Sequence, residues 1–220
     1  MNRTVRKVTI TICDQTLQLL PQKALFWVEE QTLLISDLHI GKIAHFRKAG
    51  YAVPSNSIQQ NFERLNQLMA FCNPKRIYFI GDLFHSDINH EWELFLNWRK
   101  QFLAIDMQII LGNHDRLPSN FNEDFKITVH QTTIKVGPFT LAHQPVKSFS
   151  NVDEYVISGH IHPVVKITGK ANQAIKLPCF IIGKQQAILP GFGYFTGGHA
   201  LKTTSTDKIF AIVEHELKEV

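Results

Sequence analysis

Cysteine, long apolar runs and an excess of one charge are all scarce in this chain. Its three cysteines, Cys13, Cys72 and Cys179, are far apart and form no C-x-x-C pair. That pattern suits buried reduced thiols and argues against a disulfide framework or a thiolate zinc site. No apolar run approaches the length of a membrane span. The N-terminal stretch MNRTVRKVTITIC alternates instead of forming the apolar block of a signal peptide. The chain therefore reads as soluble and cytoplasmic, with no membrane partner. A formal charge of +4 permits an anionic partner without demanding one. Internal repeats, low-complexity tracts and long linkers are missing too, and Gly, Pro and Ser are scattered as single turn signals. With 220 residues, 44% of them hydrophobic, the chain can bury a real core, and one domain over residues 1–220 is expected.

Two kinds of periodicity divide the chain. Residues 8–12 alternate and 33–36 form a short apolar run, so both read as strands, with PQKALFWVEEQ between them as a hairpin-like connection. Pro54-Ser-Asn-Ser57 opens a helix. Ser57 and Gln60 fit a capping box, and Ile58, Phe62, Leu65, Met69 and Cys72 form an apolar face at helical spacing. A second helix over 91–103 carries Trp92, Phe95, Leu96, Arg99 and Phe102 on one side, between strands at 76–80 and 107–111. Beyond residue 125 strands dominate, at 126–133, 140–143, 155–158, 164–168, 179–182 and 210–215. Breaks such as Gly137-Pro138, Gly169-Lys170 and Gly183-Lys184 separate them. This order predicts a mixed α/β fold in which a mixed sheet packs on a second sheet, with helices outside.

What ends each apolar run is polar. LLIS ends in Asp37-Leu-His39, RIYFI in Gly81-Asp82 and MQIIL in Gly112-Asn-His-Asp115. FTLA ends in His143, and YVIS in Gly159-His-Ile-His162. Taken singly, each has an ordinary explanation as a turn residue or an exposed edge. Together, five strand ends carry seven groups able to ligate: Asp37, His39, Asp82, Asn113, His143, His160 and His162. Ligands of open α/β sheets bind at the carboxyl ends of strands, so strands running into one crevice would converge these groups. Carboxylates, imidazoles and an amide oxygen without sulfur suit Mn²⁺, Fe or Zn²⁺ better than the oxygen cages of Mg²⁺ or Ca²⁺. Seven ligands exceed the needs of one ion with an open position. They suit two divalent ions bridged by a carboxylate, about 3.5–4 Å apart. Two such ions facing only Asp37 and Asp82 leave positive charge, for which phosphate is the natural guest.

The ordered set D-x-H, G-D, G-N-H-D, H and G-H-x-H, spanning Asp37 to His162, resembles the calcineurin-like metallophosphoesterases. The resemblance implies a two-sheet β-sandwich flanked by helices. It also implies one ion on Asp37, His39 and His162, a second on Asn113, His143 and His160, and Asp82 between them. The stretches DLHIGKIAHFRKAGYAVP and LPGFGYFTGG are similar to the bacterial ligase-associated metallophosphoesterases. That narrower likeness implies phosphodiesterase activity, Mn²⁺ as the favoured metal, 2′,3′-cyclic nucleotides as a possible substrate class, and a DNA ligase and a helicase as partners in DNA repair.

The implied reaction is hydrolytic phosphoryl transfer. His114, next to the ligand Asn113, would donate a proton to the leaving oxygen, with Asp115 fixing its tautomer. The bland alternative for His114 is a polar neighbour of the metals that moves no proton. Of the other histidines, His45, His85, His90, His130, His199 and His215, only His85 is expected near the ligands. Lys42, His45, Arg47 and Lys48 form a basic stretch, read as a loop. Arg47 is either a bidentate phosphate ligand or part of a solvated face. The aromatics of Gly191–Gly198 either stack on a base or pack on the sheet. Alternatives to a phosphodiesterase are a phosphomonoesterase or protein phosphatase with the same metals, a non-catalytic scaffold, and a nucleic-acid-binding subunit with structural metals.

Overall fold

The computed structural model describes residues 6–54, 56–85, 88–149, 151, 153–169, 173–194 and 196–220. Ser55 of the helix-opening stretch, Lys170 of the Gly169-Lys170 break and Phe195 of the aromatic loop lie outside these residues.

The first half of the chain builds one seven-stranded sheet. It comprises β1 (Val8–Ile12), β2 (Gln15–Leu20), β3 (Ala24–Trp27), β4 (Thr32–Ser36), β5 (Arg76–Ile80), β6 (Asp106–Ile110) and β7 (Ile127–His130), in sequence order. Helices α1 (Lys42–Lys48), α2 (Ser57–Cys72), α3 (His90–Lys100) and α4 (Phe121–Phe125) interrupt it. The second half supplies β8 (Ile134–Val136), β9 (Phe139–Ala142), β10 (Tyr155–Ser158), β11 (Val164–Thr168), β12 (Ala174–Ile182), β13 (Gln186–Ile188), β14 (Lys208–Val213) and β15 (Glu216–Glu219). Seven of these run in the order β15-β14-β12-β13-β10-β9-β8, and β11 pairs with β12.

Alternation along the central strands explains the layers. Leu33, Ile35, Ile77, Phe79 and Ile109 face a core shared with Leu65 and Leu68 of α2, Trp92 and Phe95 of α3, and Phe121 of α4. Leu34, Tyr78, Ile80 and Ile110, on the opposite face, meet Phe139, Leu141, Ile157 and Phe180 of the second sheet. Both faces of the first sheet are covered, so its central strands read as unbroken apolar runs. The mixed α/β sandwich is thus as expected. Among the described residues, no helix is long and apolar enough to cross a membrane.

Several local expectations are corrected. PQKALFWVEEQ contains a true strand, β3, whose four residues are all buried. Burial from both sides leaves no alternation by which to recognise it. The stretch at 126–133 holds a shorter strand, β7, which ends at His130; the chain then leaves the edge of the first sheet and enters the edge of the second at β8, from Ile134. The capping box is not made. Ser57 lies inside the helix and its hydroxyl donates to Pro54 O at 2.9 Å, while Gln60 N donates to Asn56 O at 3.0 Å. The basic stretch 42–48 is not a loop but α1. Its N-terminal amides are satisfied by a distant carboxylate: Glu91 accepts from Gly41 N at 2.9 Å and Ala44 N at 2.6 Å.

Candidate metal centre

Register brings the ligands together. In the first sheet Ser36, Ile80 and Ile110 are aligned on three parallel strands. The segments beginning at Asp37, Gly81 and Leu111 therefore leave side by side. In the second sheet Ala142, Ser158 and Ile188 are aligned in the same way, so His143 and Gly159-His160 leave together. Pairing continues past the strand ends, with Asp37 N donating to Gly81 O at 3.2 Å, His39 N to Asp82 O at 2.9 Å and Gly159 N to His143 O at 3.0 Å.

At this edge the backbone turns sharply. Asp37 (φ 53°), His39 (φ 53°), Asp82 (φ 46°), His160 (φ 68°) and His162 (φ 50°) all adopt left-handed conformations. Each costs about 1–2 kcal/mol for an L-residue, and such strain concentrates at functional sites. In the D-x-H and H-x-H spacings the intervening residue points away. Leu38 is buried in the helix-side core and Ile161 packs on a small cluster of the second sheet. The glycines before the ligands permit close packing. A Cβ on Gly81 would lie 1.8 Å from His143 Nδ1, and one on Gly112 would lie 2.2 Å from Asp82 Oδ1.

Six of the seven residues form two groups, Asp37 with His39 and His162, and Asp82 with His143 and His160, each with ligand atoms within 4.8 Å of one another. Asn113 joins the second, its Oδ1 3.0 Å from His143 Nε2. The groups adjoin, with His143 Nδ1 3.9 Å from Asp37 Oδ1. Asp37, His39, Asp82 and His143 are buried, whereas Asn113 and His114 are exposed and form an open rim.

The donors fit metal ions. Asp37 Oδ2 accepts from His160 N at 2.9 Å, while Oδ1 is buried without any hydrogen-bond partner. His162 Nδ1 donates to Thr196 O at 2.9 Å, so its Nε2 carries a lone pair. That lone pair faces Asp37 Oδ1 at 3.4 Å and His39 Nε2 at 3.3 Å. Two acceptors aimed at one buried space repel unless a cation lies between them. The separations also match the edges of a coordination shell with metal–ligand bonds of about 2.0–2.2 Å. In the second group His143 Nε2 lies 3.0 Å from both Asn113 Oδ1 and His160 Nδ1 and 3.5 Å from Asp82 Oδ2, more contacts than a single N–H can serve. Asp82 Oδ1 accepts from His114 N at 2.9 Å, which leaves Oδ2 for this space.

Burial holds the His39 imidazole well below its ordinary range, with the positive charge of Lys42 adding to the effect. His160 is lowered by burial and then by His143. Neutral imidazoles are what a metal requires.

The remaining expected residues fall unevenly. His114 has its backbone pinned to Asp82, and its ring lies 5.8 Å from His39 and 4.6 Å from His85. His85 does sit at the site, 5.1 Å from His39, with a pKa lowered to about 4 by burial. Asp115 has other partners than expected. Its oxygens accept from Phe84 N and Gly112 N, both at 2.8 Å, and burial raises its pKa to about 7. Among the described residues no hydrogen bond joins it to the His114 ring. Arg47 is exposed on α1 and donates to Pro54 O at 2.9 Å. Lys42, also on α1, is half-buried; burial lowers its pKa and the charges of Asp82 and Asp37 raise it. His45, His90, His199 and His215 are exposed, and His130 pairs with Gln108 at 2.7 Å. In the glycine-rich loop Phe192 is fully buried in the core, while Tyr194 is exposed. The loop is anchored by Phe192 N to Ser36 O at 2.9 Å and Gly193 N to Asp37 O at 3.0 Å.

Sequence reasoning missed Glu91, which holds α1, and the Thr196 carbonyl, which orients His162. Neither carries a local signal, because an acid in a first helical turn and a loop carbonyl are both ordinary.

No curated protein matches the chain at a significant level. Among solved structures, the nuclease MPE of Pseudomonas putida is 28% identical with a TM-score of 0.81, over 98% of this chain and 100% of its own. A protein of unknown function from Aquifex aeolicus is 18% identical with a TM-score of 0.42, over 60% of this chain and 78% of its own. The phosphoesterase Yfce from E. coli is 12% identical with a TM-score of 0.42, over 83% of this chain and 88% of its own. The model of the calcineurin-like phosphoesterase family matches residues 31–162, which include all seven candidate ligands and more than half of the chain. This chain belongs to the calcineurin-like phosphoesterases and is a metal-dependent phosphoesterase with a dinuclear divalent metal centre.

Proposed function

We propose that the chain is a phosphodiesterase acting on nucleotides or nucleic-acid ends, with Mn²⁺ as its working metal and residues 1–220 as one domain. The observation that carries this reading is the convergence of oxygen and imidazole acceptors into two adjoining groups, 3.9 Å apart at His143 Nδ1 and Asp37 Oδ1. Asp37, His39 and His162 would hold one ion and Asn113, His143 and His160 the other, with Asp82 shared. Two bound divalent ions supply Lewis-acid polarisation of phosphate oxygens and a lowered pKa for water.

The chain's own residues do the rest. Asp37 and Asp82 each spend one oxygen on a backbone amide of a neighbouring ligand segment, which holds the other oxygen toward the metals. Thr196 O accepts from His162 Nδ1 and so orients Nε2 toward Asp37 and His39. His114, exposed at the rim with its backbone fixed, is placed to give a proton to the leaving oxygen. Asp115 positions His114 through the backbone and not through its ring. On α1, Lys42 is set against Asp37 and Asp82, and we assign phosphate attraction to it ahead of Arg47, whose guanidinium is engaged by Pro54 O.

The Pseudomonas putida neighbour is a nuclease at 28% identity, which supports a nucleic-acid substrate. The similarity of DLHIGKIAHFRKAGYAVP and LPGFGYFTGG to the ligase-associated subfamily supports three further assignments. These are 2′,3′-cyclic nucleotides as small substrates, a cytoplasmic place in DNA repair, and ligase and helicase partners.

The test offers Mn²⁺-loaded protein an aryl diester, an aryl monoester, a 2′,3′-cyclic nucleotide and single-stranded DNA, with wild type and His114→Ala in parallel. Diesters should turn over faster than the monoester. His114→Ala should lose about 10²–10⁴-fold on a nucleotide, whose alkoxide needs a proton, and far less on a nitrophenyl ester. A monoester preference would move the chain to the phosphomonoesterases. No turnover at full metal content would make it a scaffold.

A further inference from the structure

Beside His160 lies a cavity of about 410 Å³ that none of the metal chemistry uses. Ile161, Ile181, Ile188 and Leu201 form its apolar lining. These belong to a small apolar cluster separate from the two main cores. The amides of Gln144 and Gln186 line it, and Lys147 and Lys202 stand exposed at its rim. Gln186 Oε1 is buried and has no hydrogen-bond partner. One rim carboxylate, Asp207, accepts from Thr204 N at 2.7 Å.

We propose that this cavity holds the nucleoside next to the scissile phosphate, with the following phosphate between Lys147 and Lys202. The inference rests on the phosphodiesterase reading and extends it to the substrate's second nucleotide. His160 lines the cavity and belongs to the second ligand group, so a phosphate held there has its substituent at the cavity mouth. The volume falls in the range of small-molecule sites, which are mostly apolar with a few polar groups that orient the ligand. An aliphatic lining accepts the face of any base. The Gln186 side chain, whose Oε1 has no hydrogen-bond partner, is the group assigned to a base edge, and an amide offers both donor and acceptor. Weak base preference follows, with affinity set by length and charge. Two lysines suit an anion in the next position, because phosphate contacts dominate the binding of single strands.

The experiment uses full-length protein and two probes, 5′-phosphorylated dithymidine and bis(4-nitrophenyl) phosphate, the second too short to reach the lysines. The variants are Lys147→Ala/Lys202→Ala and Leu201→Trp, which fills the cavity. In metal-free protein, calorimetry should show the dinucleotide binding about 10-fold more weakly in each variant. For the lysine pair, the slope of log K against log salt should fall by about 0.7 per lysine. With Mn²⁺ bound, the ratio of kcat/KM for dinucleotide over aryl diester should drop at least 10-fold. Aryl diester turnover with affinity and ratio within twofold of wild type in both variants would overturn the cavity assignment and leave the phosphodiesterase reading intact. Wild type that holds two Mn²⁺ and hydrolyses neither probe would overturn the function, and the metal-free binding would still decide the cavity.

Discussion

Replacing Asp115 separates two ways in which it could serve His114. Its two oxygens accept from Phe84 N and Gly112 N at 2.8 Å, which ties the segment after Asp82 to the segment carrying Asn113 and His114. Above its raised pKa of about 7 the ionised carboxylate has an acceptor for each amide. Asparagine has one oxygen and one NH₂ group, so one buried N–H would face another donor. Charge-assisted hydrogen bonds are worth about 1.5–3 kcal/mol, and an unsatisfied buried donor costs about 1–3 kcal/mol. Above pH 7, Asp115→Asn should therefore destabilise the metal-free protein by about 2 kcal/mol. For a chain of this size that is roughly 4–8 °C in Tm. Asp115→Ala should lose more, and His114→Ala, whose ring is exposed, less than about 1 kcal/mol. Scanning calorimetry in chelator reads this without interference from metal binding. Metal content should then fall in parallel, because Gly112 packs on the Asp82 carboxylate. An Asp115→Asn variant with wild-type Tm and full metal, but with the nucleotide-specific kinetic loss of His114→Ala, would refute the backbone-bracing account and restore direct control of the His114 ring.

Three further outcomes are expected. Gly112→Ala would put a Cβ 2.2 Å from Asp82 Oδ1 and 2.4 Å from Asp82 N, so occupancy of both metal positions should fall together, and elemental analysis giving two ions per chain would contradict this. Glu91→Gln leaves one of the Gly41 and Ala44 amides unpaired, about 1–3 kcal/mol locally. Tryptic cleavage after Lys42, Arg47 and Lys48 should accelerate, and an unchanged rate would mean that α1 is held by something else. Burial, and then the charge of Arg64, lower Lys23 from 10.5 to about 7. Between those values the unfolded chain binds the proton and the folded chain does not. The penalty is therefore complete below pH 7 and is relieved as pH climbs toward 10.5. Lys23→Met should raise Tm by a few degrees at pH 6 and by little near pH 10. A gain that does not depend on pH would refute the burial argument.

The sequence alone determined which residues are candidate ligands and the ends of the strands that deliver them. These are local properties: an apolar run that stops at Asp37, at Gly81-Asp82 or at Gly159-His160 stops in the same place whatever packs on it. It also determined the helix-then-strand order and hence the two-sheet sandwich. Tertiary structure alone decided what each polar group is bonded to. The αL turns at five ligands, the partners of Asp115 and the crossing from β7 to β8 all depend on contacts the local pattern does not carry. Glu91 reaches 50 residues back to Gly41, His160 N reaches 123 residues back to Asp37, and the Thr196 carbonyl meets a histidine 34 residues earlier. Composition and period describe which residues can be buried or can ligate. Only the docking of two sheets at a common edge sets which acceptor is left facing another across a buried gap, and that gap makes the site one for metal.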